Sequence, residues 1–260
     1  MIAYPHRISY YDLDCHGWLK FSALLRMVHI AADDNATELG IGYAQLSPLG
    51  ISFVLQRFSA RTCENNGIKR LPQYGEEVEI RTWPSAIERG LFIRKGSMHN
   101  KKGHKLLEWA SLWLLFDLNN RKILKPSALP IDTGSLLMGD CNVLTAPTKV
   151  NLPTQDEALT PHHIFNHTVR YADIDTNNHM NNAIYGDLVG NAAFPPGLDN
   201  ANLSTSWNHL DINYLSEAKP NETITITATF NENKNGQIIQ GSISNPDNSA
   251  ARRIFTAFVY

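Results

Sequence analysis

The apolar positions of this chain follow two periods in turn. From Ser22 onward, Leu24, Leu25, Val28, Ala31 and Ala32 trace one face of a helix over about residues 22–38, with Ser22 as the expected N-cap and Gly40 as the expected stop. The strands predicted after it are Ile51–Thr62, Glu77–Thr82, Gly90–His99 and Lys105–Asp117, and residues 3–11 read as a strand before it. Asn100-Lys-Lys-Gly103 supplies turn chemistry for a hairpin between the last two.

The same order returns in the second half. A strand over 163–172 precedes a helix over 181–193 marked by Ile184, Leu188, Ala192 and Ala193, and strands follow at 205–216, 222–231, 236–244 and 251–260. Two local echoes support a duplication. Tyr10-Tyr11-Asp12-Leu13-Asp14 matches Tyr171-Ala172-Asp173-Ile174-Asp175 at an offset of 161 residues, and Gly75–Thr82 matches Asn221–Thr227 at an offset of 146. The shorter second offset predicts that the second copy lacks a connection near Glu64–Pro72. One helix followed by a run of antiparallel strands is an α+β pattern, in which a long sheet wrapped round a central helix buries its apolar face. The expected organisation is a first domain over 1–125, a Pro-, Thr-, Asp- and Gly-rich linker over 126–160, and a second domain over 161–260.

Composition narrows the function. The 260 residues are 43% hydrophobic and 18% charged, as in an ordinary globular protein, and the formal net charge of −2 argues against a general nucleic-acid binder. The three cysteines, Cys15, Cys63 and Cys141, have no metal-ligand spacing and leave one unpaired, which favours a reducing compartment. The N-terminal residues have neither an apolar signal core nor a transit-type leader, and the most apolar stretch, Leu106–Leu118, is too short to span a bilayer. A cytoplasmic location without a membrane span is the expectation.

Chemistry concentrates between Val169 and Tyr185. Asp173, Asp175, Asn177, His179, Asn181 and Asn182 fall within ten residues, just before a helix start. In an extended segment, the period-two spacing of Asp175, Asn177 and His179 would point a carboxylate, a carboxamide and an imidazole to one side. Asp173, Asn181 and Asn182 read as turn and capping residues. The positions in the first copy that match Asn177 and His179 are His16 and Trp18, so a single chemical site is expected, in the second copy. One histidine and no calcium-loop glycine leave little for a metal, and no cofactor is implied. There is no G-x-S-x-G elbow for a serine hydrolase.

The run Arg170-Tyr-x-Asp-x-Asp-x-Asn-x-His-x-Asn-Asn-x-x-Tyr185, with Tyr214-Leu-Ser-Glu217 downstream, resembles acyl-acyl-carrier-protein thioesterases of the plant type and their bacterial relatives. Gln56-Arg57, Tyr74-Gly75-Glu76, Arg81-Thr82-Trp83-Pro84 and Ala110-Ser-Leu-Trp113 fall in that family's order, so the resemblance covers nearly the whole chain. It implies a tandem hotdog fold and hydrolysis of the thioester between a fatty acyl chain and acyl carrier protein. Carried over, the catalytic set is Asp175, Asn177, His179 and Glu217. Plant members place a cysteine directly after the glutamate; here Ala218 stands there, which implies an activated water or a carboxylate nucleophile. The lack of a plastid leader fits the bacterial type better.

The chemistry needs a nucleophile, an oxyanion donor and control of the leaving thiolate. Free N–H groups of the helix near Asn181 suit the carbonyl oxygen, His179 and Glu217 a shared proton, and Asp175 either orientation of the histidine or direct attack. An acidic carrier protein calls for a basic docking patch, with Arg57, Arg61, Lys69, Arg70, Arg89, Arg94 and Lys95 as candidates. The first copy, with Leu25 and Val28 on its helix, is the expected housing for the acyl chain. Three other readings stay open: an acyl-coenzyme A thioesterase, a hydratase or dehydratase of the same fold, and a non-catalytic acyl-binding module. Oligomeric state is open too, with a homodimer as one option.

Overall fold

The computed structural model describes residues 3–65, 67–138, 144–152, 161–194, 207–231, 235–245 and 250–260. Cys141, the start of the strand expected at 205 and parts of the expected linker lie outside them. The chain divides into two compact units: residues 1–19 with 26–147, and residues 20–25 with 148–260.

The first unit contains β1 (Ala3–Arg7), helix α1 (Phe21–Glu38) from residue 26 onward, its first turn belonging to the second unit, the short helix α2 (Tyr43–Leu46), and strands β2 (Ile51–Thr62), β3 (Glu64–Asn65) and β4 (Ile68–Lys69). Strands β5 (Glu77–Glu88), β6 (Leu91–Asn100), β7 (Lys105–Asp117) and β8 (Lys122–Leu124) complete it. Its antiparallel sheet runs β1-β5-β6-β7-β2, with β8 beside β7. Val28, Ala31, Ala32 and Ala36 of α1 are buried. At the end of α1, Gly40 at φ 76° lets its N–H reach Thr37 O at 3.0 Å while Ile41 N–H bonds Ala36 O at 2.9 Å, a glycine stop as expected. Residues beyond the strands also pack here: Leu129 and Leu136 join Ala36, Ile41, Leu46, Phe92 and Leu115 in one apolar cluster.

Ser22 is not the N-cap. Helix α1 starts at Phe21, and Ser22 lies inside its first turn, buried, with its hydroxyl unpartnered. The reason is apolar: Phe21 packs on Trp207 and Phe194, with ring centroids 5.1 and 6.2 Å away, and this anchors the first turn.

The second unit contains β9 (His163–Thr168), α3 (Asn182–Ala193), β10 (His209–Tyr214), β11 (Thr223–Asn231), β12 (Gly236–Ile243) and β13 (Arg252–Val259). Its antiparallel order, β9-β11-β12-β13-β10, repeats that of β1-β5-β6-β7-β2. Ala183, Tyr185, Gly186, Leu188, Val189, Ala192 and Ala193 form the buried face of α3.

The repeat extends to single hydrogen bonds. Ile8 N–H donates to Glu76 O at 2.9 Å and Gly75 N–H to Ile8 O at 2.8 Å. In the second unit Val169 N–H donates to Glu222 O and Asn221 N–H to Val169 O, both at 2.9 Å. The missing connection is only partly where the sequence places it. Cys63 N–H bonds Leu106 O at 2.8 Å, and Leu215 N–H bonds Ile254 O at 2.9 Å in the same sheet position, which fixes an intermediate offset of 152. Nine of the fifteen residues lost therefore fall earlier, where α1 has 18 residues and α3 only 12. The other six correspond to the β3–β4 hairpin.

Candidate active site

The polar segment is a closed loop rather than an extended strand. Ile174 and Met180 form an isolated antiparallel bridge, and Asp175 N–H donates to His179 O at 3.1 Å. Within the loop, Asn178 N–H returns to Asp175 O at 3.1 Å, the Asp175 carboxylate accepts Asn177 N–H at 2.8 Å, and Asn178 takes φ 63°. The simple period-two alternation expected for Asp175, Asn177 and His179 is thus replaced by a turn built on the Asp175 side chain. Asp175 and His179 are half-buried and Asn177 is exposed.

The first unit builds the same loop. Leu13 bridges Leu19, Asp14 N–H donates to Trp18 O at 2.8 Å, and the Asp14 carboxylate accepts His16 N–H at 2.9 Å. Gly17, at φ 77°, stands where Asn178 stands. Just upstream, Asp12 accepts Ser9 N–H at 2.8 Å and meets His6 at 3.3 Å, while Asp173 accepts Arg170 N–H at 2.8 Å and meets His167 at 2.9 Å. Asp12 and Asp173 are therefore architectural, each in its own unit, as the capping reading of Asp173 predicts. Asn181 is the N-cap of α3, its carboxamide oxygen accepting Ala183 N–H at 2.9 Å, while its backbone carbonyl accepts Ile184 N–H at 3.0 Å.

Glu217 reaches the loop through its neighbour. Ala218 O accepts Met180 N–H at 2.8 Å, which ties the residue after His179 to the residue after Glu217. Glu217 is half-buried, and Ala218 is fully buried. The matching residue in the first unit, at the 146 offset confirmed by the pair Gln73 N–H to Glu76 (3.0 Å) and Lys219 N–H to Glu222 (2.7 Å), is Leu71, which is buried. The structure thus brings Asp175, Asn177, His179 and Glu217 into one region of the second unit.

Three further residues frame it. Tyr185 of α3 packs edge-on to Tyr214 and Phe255, at 5.1 and 5.5 Å. Its phenol is held well above its ordinary pKa, chiefly by burial and also by the charges of Glu217 and Asp175, with a hydrogen bond from Ala218 N–H acting the other way. Both carboxylates thus act on a single phenol. Tyr214 donates to Asn182 O at 3.3 Å, and burial raises its pKa too. Arg252 donates to Ser216 Oγ at 2.9 Å, Glu217 O at 2.6 Å and Glu222 Oε1 at 2.5 Å. Both tyrosines stand in the sequence motifs quoted above; Arg252 opens the last strand, and only the fold shows that it meets Glu217.

The basic patch expected on the first unit is largely committed elsewhere. Arg94 and Lys95 are buried, and Arg94 donates to Asn35 at 2.8 Å. Arg70 makes a two-pronged pair with Glu76 at 2.6 and 2.8 Å, and Arg61 pairs with the buried Glu108. Arg57 is half-buried, leaving Lys69 and Arg89 as the exposed members of that set without such a commitment. No helix among the described residues is long and apolar enough to cross a membrane.

The chain resembles known proteins throughout its length. A family model described as the acyl-ACP thioesterase N-terminal domain matches residues 3–127, and one described as the C-terminal domain matches 156–258. A chloroplast palmitoyl-acyl carrier protein thioesterase of Gossypium hirsutum is 26% identical over 139 residues, 53% of this chain. The match spans about a third (33%) of that relative's length. The crystal structure of an acyl-ACP thioesterase from Bacteroides thetaiotaomicron shares the fold, with a TM-score of 0.80 at 19% identity, covering 99% of this chain and 96% of the other. The 12:0-ACP thioesterase of Umbellularia californica gives 0.78 at 19% identity, covering 99% and 95%. The architecture is the tandem hotdog, each copy an antiparallel sheet with a central helix.

Proposed function

The chain belongs to the acyl-ACP thioesterase family, and from that premise we propose that it hydrolyses fatty acyl-acyl carrier protein thioesters, releasing free fatty acid and the carrier's thiol. One observation carries the assignment of the site. Both units build the same five-residue loop with three hydrogen bonds in common, yet Asn177, His179 and Glu217 stand where the first unit has His16, Trp18 and Leu71. Folding alone does not require a carboxamide, an imidazole and a carboxylate there, because the first unit folds the loop without that set.

The roles follow from what each group is already doing. Asp175 and Asp14 make the same bond to the backbone two residues on, so Asp175 shapes the loop and orients His179 rather than attacking the substrate. His179 takes a proton from water, and Glu217 shares that proton or fixes the water. Asn177, the exposed member, donates its amide to the substrate or the water. At the start of α3 the amides of Ala183 and Ile184 are bonded to Asn181, so the Asn182 N–H and the positive helix end are the proposed oxyanion donors. With no cysteine at Ala218, the acyl group passes directly to water. The two described cysteines, Cys15 and Cys63, carry free thiols, which suits a reducing, cytoplasmic setting.

The test is thiol release from acyl-carrier-protein thioesters of eight to eighteen carbons, with the matching coenzyme A thioesters alongside. Glu217→Ala and His179→Ala are each expected to lower turnover by roughly 10²-fold or more. Folded variants that retain wild-type rates would remove these residues from the mechanism. Faster release from coenzyme A at equal chain length would transfer the activity to that carrier, and binding without release would make the chain an acyl-binding module.

A further inference from the structure

We propose that Arg252 is the positioning residue of Glu217, and that the first unit keeps the same clamp over a residue that does no chemistry. The inference rests on the hydrolase reading above.

Glu217 sits in the segment between β10 and β11, past the last paired residues of β10, flanked by Ser216, whose N–H bonds Ile254 O at 3.2 Å, and Ala218, whose carbonyl accepts Met180 N–H at 2.8 Å. A carboxylate that must share a proton needs its backbone fixed to within a fraction of an ångström. Arg252 pins the Glu217 carbonyl itself. One guanidinium nitrogen, Nη1, donates to the Glu217 carbonyl at 2.6 Å and to Ser216 Oγ at 2.9 Å, while Nη2 donates to Glu222 Oε1 at 2.5 Å. Glu222 is itself anchored, since its other oxygen accepts Lys219 N–H at 2.7 Å. A single planar fork thus spans the segment from 216 to 222, and Arg252 is held at the start of β13, where Ile243 of β12 lies opposite.

The first unit shows what this clamp is for. There Arg70 donates to Leu71 O at 3.2 Å and to Glu76 at 2.6 and 2.8 Å, and Glu76 accepts Gln73 N–H at 3.0 Å. Leu71 and Glu76 match Glu217 and Glu222, so both units tie the same carbonyl to the same glutamate through an arginine. The arginine comes from different places, the loop itself in one unit and β13 in the other. An interaction rebuilt from a different residue marks the pinned carbonyl as what matters. Only in the second unit does the pinned residue carry a carboxylate.

The experiment compares Arg252→Met, Arg252→Lys and Arg70→Met with the wild type. It measures kcat and KM on one acyl-carrier-protein thioester across pH, and thermal midpoints. Arg252→Met is expected to lower kcat at least tenfold with KM within twofold, and to move the pH profile, because Glu217 loses its fixed relation to His179. Arg252→Lys, which keeps the charge for Glu222 but cannot fork, is expected to fall between. Arg70→Met breaks the matching clamp and is expected to lower the thermal midpoint while leaving kcat within twofold. Equal effects of Arg252→Met and Arg70→Met on kcat would reduce both clamps to plain stability and overturn the proposal. Should Arg252→Met not fold, wild-type kcat in Arg252→Lys would overturn it as well. A wild type inert towards every thioester removes the function and this inference together, whereas an active wild type indifferent to Arg252 removes this inference alone.

Discussion

Trp18 and His179 occupy the same place in the two halves of this chain. The backbone carbonyl of each accepts the N–H of an aspartate four residues earlier, Asp14 at 2.8 Å and Asp175 at 3.1 Å. One loop therefore carries an indole in the first unit and an imidazole in the second. Because the loop closes through main-chain atoms, the side chain at this position is free to change without unfolding it. His179→Trp is expected to keep the thermal midpoint within a few degrees, consistent with a cost under about 1 kcal/mol. The same variant is expected to lose turnover by about 10²-fold. A loss of folding that parallels the loss of rate, followed by circular dichroism, would show that His179 holds the loop itself.

Asp14 and Asp175 separate stability from chemistry in the same loop. Asp14→Ala removes the acceptor for His16 N–H at 2.9 Å and Trp18 N–H at 2.9 Å in a unit with no proposed chemistry. It is expected to destabilise by about 1–2 kcal/mol, the usual cost of losing a capping acceptor, with kcat unchanged. Asp175→Ala is expected to cost similar stability and also at least tenfold in kcat, since it loosens His179. Chemical denaturation paired with initial rates reads both, and an Asp175→Ala enzyme as fast as Asp14→Ala would strip Asp175 of any role in orientation.

His29 gives the first unit an acid-sensitive core. Its ring keeps some surface, but its Nε2 is sealed without a hydrogen-bond partner and the ring lies edge-on to Trp113 at 5.6 Å. Burial pushes its pKa down from 6.5 to about 4. The unfolded chain then binds more protons than the folded one between those values, so stability falls as pH drops from about 6.5 towards 4 and is flat above. The loss amounts to at most about 3 kcal/mol. His29→Leu removes the titrating group and is expected to flatten this slope. Urea midpoints at pH 7.5 and 5 for both proteins decide it: an equal decline in the variant would assign the acid sensitivity to other groups.

Much of this architecture is legible in the sequence because it depends on period and on turn residues. Gly40 ends α1, and the Asn100–Gly103 turn closes β6 onto β7. The duplication is visible because Asp12 and Asp173 each hold a local hydrogen-bond set that needs an aspartate. What the sequence hides are features set by contacts between distant segments. Ser22 looks like a cap, but Phe21 packing on Trp207 starts the helix earlier. The loop from Asp175 to His179 alternates like a strand in sequence, yet a side-chain-to-backbone bond folds it into a turn. Arg94 and Lys95 look like surface charge; on a central strand they are buried. Arg252 lies 35 residues from Glu217, and no local pattern announces that pair.

Two glycines of α3 make opposite predictions. A Cβ on Gly186 would come within 2.7 Å of Ser22 N and 2.9 Å of Phe21 C, backbone atoms that cannot move aside cheaply. Gly186→Ala is therefore expected to destabilise by about 1–3 kcal/mol through overpacking. On Gly190 a Cβ would, among the described residues, meet only Phe21 Cδ2, at 3.7 Å, an ordinary contact. There the helix propensity of alanine is expected to prevail, a gain of up to about 1 kcal/mol. Thermal midpoints of the two variants settle the matter, and equal shifts would show that α3 does not approach that turn so closely.

Ala218 carries a prediction about a thiol nucleophile. It is fully buried, its carbonyl accepts Met180 N–H at 2.8 Å, and its N–H bonds the phenol of Tyr185. Both backbone groups are thus engaged, and the side chain is fully buried. A sulfur added here would be sealed from solvent, and burial raises a thiol's pKa and suppresses its thiolate. Ala218→Cys is expected to give no gain in turnover and no alkylation at residue 218 in the native protein, while the exposed Cys15 is labelled in the same sample. Iodoacetamide labelling followed by peptide mass spectrometry, beside a rate measurement, tests this directly. A faster enzyme whose new thiol is alkylated and inactivated would mean that residue 218 becomes accessible to substrate, and that water is not the only nucleophile this fold can use.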